Sequence, residues 1–309
     1  MKFTGLCILA STFFIPLLSC VKTDGEAGKP EGALLRFGVI ADVQYADIDN
    51  KGSRRYREAA EKLREAIAVL NQHKLDFIVD VGDKVEGMAK ADLPTILEIY
   101  KSADAPVYHV AGNHDSWQYW EKDLQEVLSL DSLYYSFTAN NIRCIVLYAH
   151  DVSNGGKPKD DPRVIRGIEY MASDKSRRDA EGALSDAQLA WLDRELAAAA
   201  SARQHALLFC HVPLLAAAST DVIRLWNADA VLELLDRHRG TALAVFCGHF
   251  HPGGFGERAG LGHFTMQAMC DAPTEGNAYS IVEVYADRIQ VTGFGVQPSR
   301  VVKIEHTQP

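Results

Sequence analysis

Positive charge and long apolar runs are both scarce in this sequence. The chain of 309 residues has 32 Lys and Arg against 41 Asp and Glu, which gives a formal net charge of −9. Proteins that bind nucleic acid or an anionic membrane surface usually carry a basic patch, so the composition argues against both partners. The N-terminal apolar run Leu6–Leu18 is shorter than the roughly 20 residues that span a bilayer as a helix. An anionic substrate would therefore be attracted locally, by metal ions or a few basic residues.

Cysteine is rare and lacks the spacing of a metal or redox motif. No C-x-x-C pair occurs, and four of the six cysteines, Cys144, Cys210, Cys247 and Cys270, lie in apolar runs. Zinc and thiol redox motifs depend on closely spaced cysteines. We interpret these four as small buried side chains, although an exported protein could pair them as disulfides.

The N-terminus is typical of an exported protein. Lys2 precedes the apolar run, and Leu17-Leu18-Ser19-Cys20 resembles the lipobox of bacterial lipoproteins, whose cysteine is lipidated after cleavage. We therefore predict a lipoprotein signal peptide at residues 1–19 and a flexible polar tether at residues 20–33. The expected location is the bacterial cell envelope, outside the cytoplasm, with a lipid anchor as the only membrane contact. A simple cleaved signal with a coincidental cysteine is the alternative.

Residues 34–309 alternate short apolar runs with amphipathic segments, which is typical of a single α/β domain. Strands are predicted at Leu34–Ala41, Phe77–Val81, Val107–Ala111, Ile142–Tyr148, Ala206–Cys210 and Leu243–Cys247. A helix is predicted after the first strand, because Tyr56, Ala60, Leu63, Ile67 and Leu70 recur at helical spacing. The tail Tyr279–Phe294 is predicted to form a hairpin.

Turn and cap residues predict where two later helices begin. Ser185, with Gln188 three residues on, is expected to form a capping box. Asn227 is expected to cap another helix, which Gly240 would end. The polar stretch Asp151–Glu181 is long for a plain connection, so we expect it to be functional or mobile.

Five polar clusters follow the predicted strands. They are Asp42-Val43-Gln44, Gly82-Asp83, Gly112-Asn113-His114-Asp115, His211 and Gly248-His249-Phe250-His251. Ligands of open α/β sheets bind at the carboxyl ends of the strands, so these side chains are expected to meet. Carboxylate, imidazole and amide donors suit Mn²⁺, Fe or Zn²⁺. One such cluster could be an ordinary turn, but five in order indicate a metal site.

The order D-x-Q, GD, GNHD, H and GHxH resembles the calcineurin-like metallophosphoesterase superfamily, and the resemblance covers Leu34–Thr307. Most members have His where this chain has Gln44. That exchange, with the Leu225-Trp226-Asn227 and Gly293-Phe294-Gly295 segments, resembles the manganese-dependent ADP-ribose/CDP-alcohol diphosphatases. The resemblance implies an α/β fold with four layers, an αββα sandwich, and a dinuclear metal centre.

The resemblance also implies roles for individual residues. One ion would be held by Asp42 and His251, with Gln44 beside them. The second ion would be held by Asn113, His211 and His249. Asp83 would bridge both ions, and His114 would act near the leaving group as an acid or charge stabiliser.

The charge balance gives this ligand set a physical reason. Two divalent ions bring four positive charges, and Asp42 and Asp83 cancel only two of them. The remaining charge would attract a phosphate and lower the pKa of a water held between the ions. Gln44 offers a harder oxygen donor than His, which favours Mn²⁺ or Mg²⁺ over Zn²⁺. We therefore expect two divalent ions, with Mn²⁺ first and Mg²⁺, Fe or Zn²⁺ as alternatives.

Three functions are compatible with these residues. The leading hypothesis is a hydrolase that cleaves the diphosphate linkage of ADP-ribose, CDP-alcohols and similar small phosphate compounds. The alternatives are a broad phosphodiesterase or phosphomonoesterase, and a catalytically idle binding module, which would need no such convergence of polar residues. Basic side chains of the 151–181 stretch could bind a second phosphate or form a solvated charged loop. They are Arg163, Arg166, Lys175, Arg177 and Arg178.

Overall fold

The computed structural model describes residues 29–86 and 91–304. The predicted signal peptide, the Cys20 lipidation site and most of the predicted tether lie outside the described residues. In the part of the chain that is described, no helix combines the length and apolarity needed to cross a bilayer.

The described residues contain twelve strands and seven α-helices. The strands are β1 Leu35–Ile40, β2 Phe77–Asp80, β3 Val107–His109, β4 Tyr135–Ala139, β5 Ile142–Leu147, β6 His205–Cys210, β7 Ala242–Cys247, β8 Gly254–Arg258, β9 Leu261–Thr265, β10 Ala278–Val284, β11 Arg288–Gly295 and β12 Arg300–Lys303. The helices are α1 Ala59–Leu70, α2 Asp92–Tyr100, α3 Asn113–Gln118, α4 Glu121–Leu128, α5 Pro162–Ser173, α6 Asp186–Ser201 and α7 Ala228–Arg237.

The strands form two six-stranded sheets. In the first sheet, β1 pairs with parallel β2 and then β3 on one side, and with the antiparallel series β10, β11 and β12 on the other. In the second sheet β5, β6, β7 and β9 run parallel, with antiparallel β4 and β8 at the edges. Parallel neighbours end at the same edge of a sheet, so each sheet brings several carboxyl ends together.

Aromatic side chains fill the space between the two sheets. Phe37 and Phe77 of the first sheet stack at 4.8 Å, and Phe37 meets Phe209 and Phe246 of the second sheet edge-on at 5.8 and 5.5 Å. Apolar residues of α1 and α2 cover the outer face of the first sheet, and those of α6 and α7 cover the second. The predicted αββα sandwich is confirmed.

All six predicted strands form, with ends within two residues of the predicted ones. The first helix and the C-terminal hairpin are also confirmed. Strands β4, β8, β9 and β12 were not predicted. Strand β8, with the sequence Gly-Phe-Gly-Glu-Arg, lacks the apolar alternation that signals a half-buried strand.

The capping box predicted at Ser185 is only half correct. The Ser185 side chain accepts the Gln188 backbone N–H at 3.1 Å, as expected for an N-cap. The Gln188 amide instead bonds both backbone groups of Tyr148, at 2.9 and 3.1 Å, and the Ser185 backbone N–H donates to Asp151 at 3.2 Å. A tertiary contact has replaced the local one, because Gln188 is buried against the end of β5.

Asn227 precedes α7 as predicted, but its side chain does not cap that helix. Its amide bonds both backbone groups of Leu184, at 3.1 and 2.8 Å. The helix ends at Arg237, and Gly240 follows in a left-handed conformation with φ of 83°. The predicted end of the helix is therefore confirmed. The Asn227 side chain instead links the start of α7 to the loop that contains Leu184.

The polar stretch Asp151–Glu181 contains helix α5, which Asp161 caps by accepting the Arg163 backbone N–H at 2.8 Å. Val152 pairs with Ala183 in an isolated bridge that closes the stretch at its base. Tyr170 of α5 packs on Trp226 with ring centroids 5.8 Å apart. The segment is thus ordered and packs against the rest of the domain.

Candidate metal centre

The side chains predicted for the second ion lie close together, and all are buried except His249, which is partly buried. Asp83 Oδ2 is 3.3 Å from His211 Nε2, which is also 3.1 Å from Asn113 Oδ1. One possible ligand atom from each of Asp83, His211 and His249 lies within 4.8 Å of the others. These four residues follow β2, β3, β6 and β7, so both sheets contribute to this half of the centre.

The side chains predicted for the first ion lie beside them. His251 Nε2 is 3.7 Å from Asp42 Oδ1 and 3.2 Å from Gln44 Nε2. Gln44 Nε2 is also 3.2 Å from Asp83 Oδ2. Asp83 therefore lies between the two halves, which is the position that the bridging prediction requires.

The backbone is strained at four of these residues. Asp42, Gln44, Asp83 and His249 have positive φ values of 51°, 43°, 56° and 66°. Side chains other than glycine rarely adopt this region, and when they do they cluster at functional sites. The strained turns direct successive polar side chains off the strand ends toward one point.

Three glycines next to these residues provide room for the centre. A Cβ on Gly82 would lie 2.5 Å from His211 Nδ1, and one on Gly248 would lie 2.6 Å from Asp42 Oδ2. A Cβ on Gly112 would collide with the Asp83 carboxylate. Only Gly82 also has a positive φ, of 105°. The glycines are therefore required by close approach at all three positions, and at Gly82 also by its backbone conformation.

Each histidine of the centre has a further contact through one of its ring nitrogens. His211 Nδ1 contacts the Val81 carbonyl at 2.8 Å, and His251 Nδ1 contacts Asp271 Oδ2 at 2.9 Å. His249 Nε2 lies 3.4 Å from a Glu181 carboxylate oxygen. Such outer contacts fix the ring and leave the other nitrogen for a metal.

Asp115, the last residue of the Gly-Asn-His-Asp motif, is a structural anchor. Its carboxylate accepts the backbone N–H groups of Gly112, Asp83 and Lys84 at 3.0 to 3.1 Å. It also pairs with the Lys84 ammonium at 3.2 Å, and Lys84 pairs with Asp80 at 2.8 Å, all without solvent exposure. This network joins the loops that carry the bridging carboxylate and the Asn113 ligand position.

His114 lies at the rim of the centre. Its Nε2 is 3.9 Å from Asp83 Oδ2, and its Nδ1 is 3.0 Å from Glu86 Oε2. Burial would lower the pKa of His114, but the negative charges of Asp83 and Glu86 outweigh it and raise the pKa. A His held this way favours its protonated form, which suits an acid near a leaving group.

Charge coupling dominates the centre. Burial opposes ionisation of Asp83, yet the positive charges of His211 and His114 hold its pKa well below the ordinary value. Burial would lower the pKa of His211, but Asp83 raises it to about 9. Burial raises the pKa of Asp42 to about 6 against the opposing charges of the histidines. Nearby positive charge thus stabilises the ionised form of both buried carboxylates, and divalent cations would supply such charge.

The donor set fits two divalent ions. Two buried carboxylates, three imidazoles and two amides converge on one place, and Asp83 is shared by both halves. The Gln44 amide has Nε2 toward His251 and Oε1 3.5 Å from Cys270 Sγ. Amide orientation follows from hydrogen bonding alone, and a half-turn of this amide would present Oε1 to the centre as a ligand.

Four residues around the centre were not predicted. Glu86 contacts His114, Asp271 contacts His251, and Glu181 lies beside His249. His150 is buried, with its ring centroid 6.5 Å from that of His211. The position of His150 just after β5 was an available signal, since the other motifs also follow strands.

The basic residues of the 151–181 stretch mostly have acidic partners. Arg163 pairs with Glu121, Asp151 and Asp161 at 2.9 to 3.0 Å, and Arg166 pairs with Glu169 at 3.1 Å. Arg163 therefore stabilises the loop. Arg178 is exposed, and its backbone N–H donates to Glu181, which lies beside His249.

Comparison with known proteins gives consistent results. The calcineurin-like phosphoesterase family model matches residues 35–253. A manganese-dependent ADP-ribose/CDP-alcohol diphosphatase of Oryza sativa subsp. japonica is 30% identical over 293 residues, which cover 84% of this chain and 91% of the relative. The Homo sapiens protein with that name is 25% identical, covering 87% of this chain and 92% of the relative. A dimetal phosphatase structure from Danio rerio matches with a TM-score of 0.82 and 25% identity, covering 88% of this chain and 100% of that one.

Proposed function

Because the chain belongs to the calcineurin-like phosphoesterase family, we propose that this metal-dependent hydrolase cleaves the diphosphate linkage of nucleoside-diphosphate-linked compounds. ADP-ribose and CDP-alcohols are the proposed substrate class. The observation that carries the proposal is the convergence of both ligand sets on Asp83, in a chain whose relatives with this named activity match 84% of its length.

The proposed metal ligands follow from the geometry above. Asp42, Gln44 and His251 would hold one divalent ion. Asn113, His211 and His249 would hold the other, with Asp83 between them. The named relatives are manganese-dependent, and the harder amide oxygen of Gln44 agrees with Mn²⁺. When bound, the ions supply Lewis acidity and a water of lowered pKa.

His114 is proposed to hold a proton for the departing oxygen. Glu86 Oε2 lies 3.0 Å from Nδ1 and would orient the ring, while Nε2 faces the centre near Asp83. A general acid contributes most when the leaving group is a poor one. The phosphate ester released from a diphosphate is a better leaving group than an alkoxide, so it needs less help from His114.

Features beside His114 could receive the rest of a nucleotide-linked substrate. Trp117 is 38% exposed, and its ring meets that of His114 at 4.9 Å. An exposed aromatic face can stack on a planar base. The Arg54 guanidinium lies 3.7 Å from Glu86 and is partly exposed, where it could bind a second phosphate.

Substrate comparison tests the proposal. We expect kcat/KM with saturating Mn²⁺ to be higher for ADP-ribose or CDP-choline than for bis(p-nitrophenyl) phosphate or AMP. If the aryl diester or AMP is the best of the four, the chain is a broader phosphoesterase and the diphosphatase proposal fails. The absence of turnover with all four would instead favour an idle binding module.

The predicted location is a separate proposal. We propose that Cys20 is lipidated and that the domain is anchored outside the cytoplasm, on the strength of the lipobox resemblance in the sequence. Metabolic labelling with a fatty-acid probe should mark the wild-type chain and not the Cys20→Ala variant. An unlabelled wild-type chain would refute the anchor without affecting the proposed activity.

A further inference from the structure

A cavity of about 590 Å³ lies at the edge of the second sheet opposite the metal centre. Its lining includes His205 at the start of β6, Ala242 and Leu243 at the start of β7, and the β8–β9 turn. The metal-centre histidines follow the other ends of β6 and β7. At about 3.3 Å per residue, these six-residue strands separate the two places by roughly 20 Å.

Four leucines, called the floor here, line the cavity beside a buried imidazole. Leu232 and Leu235 of α7 line it together with Leu243 and Leu261. His263 of β9 also lines it and is only 2% exposed. Neither ring nitrogen of His263 has a hydrogen-bond partner among the described residues. A buried polar group without partners is costly, and a group bound in the cavity that reached one ring nitrogen would relieve this cost.

His263 is neutral at ordinary pH. Burial and the positive charge of Arg258 lower its pKa to about 4, against a smaller opposing effect of Asp236. A neutral imidazole has one donor and one acceptor nitrogen. Either nitrogen can therefore bond one complementary group on the edge of a planar ligand.

The rim of the cavity is positively charged. Arg203, Arg239 and Arg258 all line it, and Asp236 is the single carboxylate among the lining residues. Asp236 pairs with Arg258 at 2.8 Å and with Arg239 at 3.8 Å. Three guanidinium groups less one carboxylate leave a charge of +2, on a chain whose net charge is −9. Guanidinium groups of this kind favour phosphate and carboxylate anions.

We propose that this cavity is a second binding site, separate from the metal centre, for a nucleotide. The planar base would lie on the leucine floor with its edge against His263, and the phosphate would meet the arginine rim. The volume falls within the range of small-molecule pockets, roughly 300–1,000 Å³. The site stands independently of which phosphate bond the metal centre cleaves.

Photolabelling of the manganese-loaded enzyme with 8-azidoadenosine 5′-monophosphate tests the proposal. Peptide mapping should locate label in peptides that contain Leu232–Gly240 or Arg258–His263. The rim variant Arg239→Gln with Arg258→Gln should reduce that label at least tenfold. His263→Phe, which removes the donor and acceptor but keeps a ring, should reduce it as well.

A matched control removes the same charge elsewhere on the same layer. Arg194→Gln with Arg237→Gln alters exposed arginines of α6 and α7 that do not line the cavity. This variant should retain the label. Label confined to metal-centre peptides, or an equal loss in the control, would overturn the proposal. Because the peptides identify the site of binding, failure here is distinguishable from failure of the diphosphatase proposal.

Discussion

Glu86 Oε2 lies 3.0 Å from Nδ1 of His114, on the side of the ring away from Asp83. The His114 backbone N–H donates to Asp83 Oδ1 at 2.9 Å, so backbone and side chain are both fixed relative to the centre. The proposed acid is therefore oriented by one carboxylate and tied to the proposed bridging carboxylate.

Replacing Glu86 should impair catalysis without removing metal. In Glu86→Gln the negative charge that helps raise the pKa of His114 is lost, so kcat should fall about tenfold to a hundredfold. The loss should be larger for an alkyl phosphodiester than for a diphosphate, because the alkoxide depends more on a proton donor. Steady-state kinetics and metal analysis of the same preparations provide the measurement.

A double-mutant cycle with His114→Gln separates positioning from a general structural effect. If Glu86 acts through His114, the second substitution should add little once the first is present. Additive losses would show that Glu86 acts by another route, for instance through Arg54, which lies 3.7 Å away.

Asp83→Asn should lower the metal content of the protein. The substitution removes one negative charge from the position shared by both halves, so we expect fewer than two Mn²⁺ per chain by elemental analysis. Asp104→Asn, at an exposed position, is the matched control and should keep both ions. Full metal content with normal turnover in Asp83→Asn would rule out the bridging role.

Gln44→His should broaden metal use toward Zn²⁺ or Fe. The exchange keeps the charge of the side chain but replaces an oxygen donor with a nitrogen donor. Activity titrated with each metal gives the ranking before and after substitution. An unchanged ranking would indicate that Gln44 does not coordinate the ion, or that its donor atom does not control metal choice.

Lys84→Met should destabilise the fold. Lys84 is fully buried between Asp80 and Asp115, so its removal leaves two buried carboxylates without their cation. Loss of one partner from a buried ion pair costs about 3–5 kcal/mol in the free energy of unfolding. Lys101→Met, in an exposed pair with Glu98, should change it by less than about 1 kcal/mol. Urea denaturation of the two variants gives the comparison, and equal effects would contradict the network's role.

Much of this centre could be predicted because its ligands follow strands. Asp83 and His249 each stand next to a glycine at the end of a continuous apolar run, and strand order then brings them together. Glu86, Asp271 and Glu181 escaped prediction because they act through other residues. Glu181 in particular contacts His249 from the end of the 151–181 segment, whose position in the fold the local sequence does not predict.

The capping roles predicted for Gln188 and Asn227 failed for a related reason, while the Ser185 cap is confirmed. Gln188 and Asn227 both occupy positions that local rules assign to helix starts, yet each side chain bonds a distant backbone segment. An amide buried at the junction of two loops can satisfy groups of both, and this outweighs a local cap that water could replace. Sequence patterns carry no information about such tertiary partners.

The last prediction concerns His263 and the pH dependence of stability. The pKa of His263 is about 4 in the folded chain, below its ordinary 6.5, because of burial and the nearby Arg258, with Asp236 opposing. Below pH 6.5 the unfolded chain binds a proton that the folded chain does not bind until about pH 4. The contribution of His263 to the free energy of unfolding is therefore fully present above pH 6.5 and is lost as the pH falls toward 4. Between pH 7.5 and 5 the loss should be about 2 kcal/mol.

His263→Gln and His263→Phe both remove the proton-binding group, so each should lack this part of the acid dependence. Urea denaturation of the wild type and both variants at pH 7.5 and 5 provides the free energies of unfolding. The difference in the free energy of unfolding between the two pH values should be smaller in both variants by about 2 kcal/mol. Glutamine and phenylalanine pack differently and can change the stability at pH 7.5, but neither side chain titrates. A pH effect identical to that of the wild type would mean that His263 is already accessible to protons in the folded chain. The apolar floor of the cavity would then be wet, which would also weaken the case for a base bound there.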